Sequence, residues 1–241
     1  MVLYQLEDPI RVLTIYVAQG LVLVTFAYLA FRILKRDRKR LNLIFSGFYI
    51  SATIGIIFNW IYGPIANLEV VLILNYFTNF GVFYSPIFFV VFDLILLKSE
   101  KVITTTKQVL ILLGFGIYMF CMIFFVLAGV GWGVSFNADW APVWELPFFL
   151  YLTLGETFFA IGPLLYLSFQ IYNKFEDEQL KKKWKYFILG VCAMIGFMYG
   201  IFFSNFLDIK MVRTLMGAIG VILAIIGGYL MYNGVGRQLS S

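Results

Sequence analysis

The segment RILKRDRKR, residues 32–40, puts six basic side chains into nine positions between two long apolar runs, 12–34 and 43–65. Each run exceeds the roughly 20 apolar residues that a helix needs to cross a bilayer core of about 30 Å. Lys and Arg next to a membrane span stay in the cytoplasm, so this loop predicts an N-terminus outside. The remaining connections alternate in the same sense. Lys98, Lys101 and Lys107, then Lys174, Lys181, Lys182, Lys183 and Lys185, and finally Arg237 fall on the side of the first cluster. Only Arg11, Lys210 and Arg213 fall on the other, so fifteen of the eighteen basic residues share one side. A missed or false span would scramble this alternation, so span number and direction support each other. The pattern predicts an all-α integral membrane protein: a seven-transmembrane-helix bundle, N-terminus outside and C-terminus cytoplasmic. Its spans lie near 12–34, 43–65, 70–97, 109–130, 147–172, 184–207 and 211–232, in one domain over residues 1–241.

Composition agrees. The chain is 62% hydrophobic and 13% charged, against about 25% charged residues in an average soluble domain. Residues 1–10 lack a basic start and carry Glu7 and Asp8, unlike a cleavable signal peptide, so the first run is expected to stay as a helix. The net charge of +5 does not point to nucleic acid, because the basic residues flank apolar spans and form no patch with base-stacking aromatics. The expected location is the plasma (cytoplasmic) membrane, with lipids as partners. Histidine is absent, and Cys121 and Cys192 stand alone in apolar runs, which removes the usual zinc and redox motifs. No metal, no cofactor and no enzymatic site is expected, since no nucleophile with an adjacent base is visible. Pro86 and Pro163 lie inside spans three and five and predict kinks. Trp60, Trp132, Trp140 and Trp144 gather at the outer boundary as interfacial anchors do, around the longest outer loop, 131–145.

Ionisable groups at bilayer depth are expensive and usually face the bundle interior. Glu156 is the main case: it sits about 14 Å into the fifth span by helical rise, with no basic side chain at that depth. Three roles are open to it: a protonated hydrogen-bond donor to a neighbouring helix, a proton-exchanging group, or the counter-ion of a bound cation. In span three, Asn75, Asn79, Pro86 and Asp93 recur at offsets that return to one helical face, with Asp93 toward the cytoplasm near Lys98. Asn59 in span two and Tyr199 in span six fall in the outer half beside Asn75, Asn79 and Glu156, so four helices offer polar groups at one level. The coincidence predicts a pocket open to the outside. The plainer alternative for each residue alone is an interhelical hydrogen bond. Gly217, Gly220, Gly227 and Gly228 mark span seven as a close-packing helix.

Seven helices with an outer N-terminus invite comparison with retinal proteins, whose seventh-helix lysine forms a Schiff base. This span has none, Lys210 standing just before it, so retinal is disfavoured, and the run from Ser85 and Pro86 to Asp93 is only loosely similar to the third helix of microbial rhodopsins. A nearer match is the seven-helix sensor module at the N-terminus of many prokaryotic histidine kinases. Asn75-Tyr76, Gly81, Ser85-Pro86 and the Phe-rich run 88–93 resemble its third helix; 148–149 running into the basic loop, and 184–205 with Gly190, resemble its fifth and sixth. The resemblance implies a sensor or receptor-like protein. Because only residues 233–241 follow the last span, its output is expected to pass through the loops 32–40 and 174–185 to a separate cytoplasmic signalling partner. The competing expectation is a small proton-coupled transporter or permease using Glu156, although spans one to three and five to seven show no convincing repeat.

Overall fold

The computed structural model describes residues 12–129 and 131–236. Among them, seven helices are long and apolar enough to cross a membrane: α1 Ile15–Arg36, α2 Arg40–Tyr62, α3 Leu68–Lys98, α4 Thr105–Ala128, α5 Leu146–Lys174, α6 Glu178–Leu207 and α7 Lys210–Val235. Arg11 and Arg237, which count toward the predicted charge asymmetry, lie outside the described residues. Each helix follows its apolar run closely, and the largest difference is at α6. There the helix begins six residues before the expected 184, because Asp177 accepts the N–H groups of Gln179 and Leu180 at 2.7 and 3.2 Å and starts the helix in polar sequence. Apolar length finds where lipid begins; a capping side chain finds where the helix begins. Asn67 and Thr104 cap α3 and α4 in the same way.

Both prolines break regularity, by different routes. In α3 the helix interrupts at Tyr84 and Ser85 and restarts with Pro86 in its first turn, where a missing N–H costs nothing. Ser85 Oγ donates to the carbonyl of Val82 at 2.6 Å across this break. In α5 the ring of Pro163 would collide with the carbonyl four residues back. The chain widens instead into a π-helical turn, Glu156–Ile161, closed by the Gly162 N–H on the carbonyl of Thr157.

Helix α3 is the hub, with 61% of its most apolar stretch buried, and α4 is the most peripheral at 17%. Two of the glycine contacts bring helix backbones against one another. A Cβ on Gly81 would stand 2.7 Å from Cα and N of Gly55, and Ser51 Oγ donates to the Gly81 carbonyl at 2.7 Å, so α2 and α3 meet backbone to backbone. On the other side, a Cβ on Gly190 would stand 2.6 Å from the Gly227 carbonyl, which draws α6 onto α7. The close packing read from the glycines of span seven is thus present at Gly227, and Gly228 seats Phe26 and Leu29 of α1. Tyr49 Oη donates to the Gly228 carbonyl at 2.9 Å and ties α2 to α7.

Between these contacts stands an aromatic block of Phe26, Phe45, Phe48, Tyr49, Phe89 and Phe187, each at most 2% exposed. Phe48 stacks on Phe89 at 4.3 Å, and Phe26 meets Tyr49 edge-on at 5.5 Å. Aromatic pairs of this kind add about 0.5–1.5 kcal/mol each beyond burial. Large apolar side chains such as Leu127, Phe158 and Met211 point outward at 70% exposure or more. That surface suits lipid, where an apolar exterior carries no penalty.

The bundle has two unlike ends. At the basic end Arg40 donates to Gln108 Oε1 at 2.8 Å and to the Ile103 carbonyl at 2.6 Å, clamping the start of α2 to the α3–α4 turn. At the other end the α4–α5 connection forms a two-stranded antiparallel ribbon, β1 Val134–Phe136 and β2 Pro142–Trp144, with Ser135 opposite Val143. The sequence carries only a loop signal there, since strands of three residues are too short to show alternation. The ribbon also turns Trp144 inward. Expected as an interfacial anchor, it is 1% exposed and packs on Phe83, Phe148 and Phe202.

Candidate ligand-binding site

A cavity of about 330 Å³ opens at the ribbon end between α1, α2, α3, α6 and α7, near the lower end of the roughly 300–1,000 Å³ usual for small-molecule sites. Its first wall is built from amides. Asn59 of α2 donates its Nδ2 to Gln19 Oε1 of α1. Asn79 donates to Asn75 Oδ1 at 3.0 Å, and Asn75 donates to Tyr62 Oη at 3.1 Å, a chain running from α3 to α2. The backbone contact of Gly55 with Gly81 brings these two groups within reach of one cavity, since it leaves no side-chain layer between α2 and α3.

The opposite wall comes from α6 and α7: Met194, Phe197, Met198, Ile201 and Val221 make it apolar away from the ribbon, and Ser204, Asn205 and Thr214 add polar groups nearer to it. The floor rests on Phe26, and hence on the aromatic block below it. The ribbon turn, through Asp139 to Pro142, hangs over the mouth. Arg213 fixes it there. Its guanidinium donates to Asp208 Oδ1 at 2.9 Å, to Asn205 Oδ1 at 3.2 Å and to the Pro142 carbonyl at 2.7 Å. Asn137 adds a bond to Asp208 at 2.8 Å, and Lys210 pairs with Asp139 at 3.7 Å.

Three of the residues singled out in the sequence, Asn59, Asn75 and Asn79, line this one cavity. Glu156 and Tyr199 are not among its lining residues. Helical rise compares depths; it does not say on which side of α3 a group lies. Tyr199 Oη pairs with Thr157 Oγ1 at 2.5 Å and joins α6 to α5, the plain interhelical bond that was its alternative reading. Glu156 opens the π-helical turn of α5 with its side chain fully buried, and neither carboxyl oxygen has a hydrogen-bond partner among the described residues. Next to it, Gly155 lies against Tyr118 of α4, whose hydroxyl donates to the Tyr151 carbonyl at 2.5 Å while Tyr151 Oη donates back to the Tyr118 carbonyl. The groove that a side chain at 155 would fill is occupied by that ring. Asp93 is buried at the basic end, where it accepts from Ser168 Oγ at 2.5 Å, and Trp184 Nε1 donates to the Ser168 carbonyl at 2.8 Å. Ser168, bonded to both, ties α3, α5 and α6 together.

Gln19, Tyr62, Asp139 and Arg213 join the site without having been singled out. Gln19 had a legible signal, as the lone amide of an apolar run. Arg213 and Asp139 read as ordinary boundary charges, and only the ribbon's fold brings them to the cavity mouth. Among the described residues no group of three or more Cys, Asp or Glu side chains is placed to hold a metal ion. No family model matches the chain, and no curated protein matches it.

Proposed function

We propose that the chain is a membrane receptor-like module, N-terminus outside, that takes a small amphipathic molecule into the ribbon-end cavity and passes the event to a separate cytoplasmic partner. One observation carries the reading. The cavity is lined by paired amides on one side and methionines on the other, and its lining stops at Phe26 of the buried aromatic block, with no residue of the basic end among it. An amphipathic pocket of this kind suits binding, because a permeation route needs polar lining to continue toward the far side. The charge asymmetry supports the orientation, and the resemblance to kinase-linked sensor modules supports the signalling role. The loops 32–40 and 174–185 offer the partner a basic surface that anionic lipid headgroups would also attract.

In this reading the closely packed α6 and α7, which form the apolar wall and run to the basic end, carry the signal. A ligand seated between the amide wall and the apolar wall biases how these helices sit, and does so only as far as it binds one arrangement better than the other. The test has two arms. Purified wild-type protein should retain small molecules identifiable by mass spectrometry that the pocket-filling variants Ala52→Trp and Val22→Trp lose. Proteoliposomes containing a pH-sensitive dye should show no proton flux. Flux that disappears in Glu156→Gln would overturn the receptor reading in favour of a proton-coupled transporter.

A further inference from the structure

The charges around the cavity are arranged to specify what enters it. Among the described lining residues the ionised ones are Asp139, Lys210 and Arg213, all at the mouth. Both cations are already paired, Lys210 with Asp139 at 3.7 Å and Arg213 with Asp208 at 2.9 Å, so the charges of the described residues at the mouth balance. Below it, recognition falls to Gln19, Asn59, Tyr62, Asn75 and Asn79, because the lining hydroxyls of Thr78, Ser85, Ser204 and Thr214 already donate to nearby carbonyls in the chain and Asn205 accepts from Arg213. These carboxamides and the phenol present donors and acceptors in equal measure and no formal charge.

We infer that the ligand is an uncharged amphiphile whose polar end both donates and accepts hydrogen bonds, as a primary amide or hydroxyl does, with its apolar body against Met194, Met198 and Val221. This rests on the proposed binding role of the cavity and names the chemical class. A carboxylate or ammonium drawn down to the amide wall would lose its hydration with no opposite charge to meet it. A pure hydrocarbon would leave the wall's polar groups facing an apolar surface. An amide head satisfies both sides. Asn79 stands at the head of the Asn79–Asn75–Tyr62 chain, and its carbonyl oxygen takes no part in that chain, so it can accept from such a head while the amide Nδ2 stays bonded to Asn75. The facing methionines are flexible and polarisable, so the wall fits bodies of varied shape. The site therefore selects by head group more than by body.

The test is binding of radiolabelled decanamide to the protein in phosphatidylcholine nanodiscs, corrected for empty discs. Decanoate, kept ionised, and decyltrimethylammonium serve as competitors of equal chain length. Saturable decanamide binding is expected, with both ions competing at least tenfold more weakly. Ala52→Trp and Val22→Trp should abolish it, and Asn79→Leu or Asn59→Leu should weaken it at least tenfold. If either ion competes as well as decanamide and the pocket-filling variants block it, the cavity is a binding site and the uncharged-head inference falls. If none of the three binds saturably, or binding survives both pocket-filling variants, the binding role falls and the inference with it. Should the asparagine variants fail to assemble, the order of the three compounds on wild-type protein decides alone.

Discussion

Replacing Gly81 with alanine tests the contact that holds the amide wall together. The added Cβ would lie 2.7 Å from two backbone atoms of Gly55, whereas ordinary contact begins at 3.4 Å, so α2 and α3 must part by about 0.7 Å or tilt. Backbone cannot rotate away as a side-chain tip can. The same displacement stretches the 2.7 Å bond from Ser51 Oγ to the Gly81 carbonyl, of a type worth about 0.6 kcal/mol on average in a membrane bundle. Overpacking of a dense contact costs about 1–3 kcal/mol, and the stretched bond falls within that range. Reversible unfolding in mixed micelles, titrated with dodecyl sulfate, should therefore show Gly81→Ala less stable than wild type by about 1–3 kcal/mol. Gly114→Ala is the control, since a Cβ there meets nothing within 4 Å on the peripheral α4, and its change should stay within about 0.5 kcal/mol. Equal stabilities for Gly81→Ala and wild type would refute a backbone-to-backbone α2–α3 contact. So would an equal loss in the control.

Other substitutions probe separate parts of the structure. Glu156→Met removes two buried oxygens that have no partner among the described residues and keeps the side chain's length, so stability should hold or rise by about 1–3 kcal/mol in the same titration; a loss of that size would mean the carboxyl is bonded. Ser168→Ala takes away the hydroxyl that Asp93 accepts from and should cost about 1–3 kcal/mol, recovered in part by the double variant Ser168→Ala with Asp93→Leu. Tyr49→Phe deletes the buried bond to the Gly228 carbonyl and should cost about 0.5–1.5 kcal/mol. Arg213→Ala releases the ribbon from α6 and α7, so amide hydrogen exchange should accelerate at residues 137–142 and stay unchanged at the basic end.

The helices were legible in the sequence because lipid imposes a simple rule: every span must be long, apolar and internally bonded. The two proline irregularities were legible too, since a missing N–H has to show somewhere. Asn59, Asn75 and Asn79 could be placed together from depth and helical face alone. Glu156 could not, because its azimuth about the bundle depends on how α5 packs, and that is settled by tertiary contacts such as Gly155 against Tyr118. The mouth of the cavity was the least legible part. It depends on a three-residue ribbon and on Arg213 reaching Pro142, 71 positions away in sequence, and no local pattern encodes such a bond.

Single-cysteine labelling in intact cells tests the proposed placement of the cavity most directly. In a background with Cys121→Ala and Cys192→Ala, Thr214→Cys puts a thiol on the cavity lining and Arg38→Cys puts one in the first basic loop. A membrane-impermeant maleimide should label Thr214→Cys from outside, more slowly when decanamide is present, and should reach Arg38→Cys only after permeabilisation. Labelling of Arg38→Cys in intact cells while Thr214→Cys stays protected would contradict an outward-facing cavity and the receptor reading built on it.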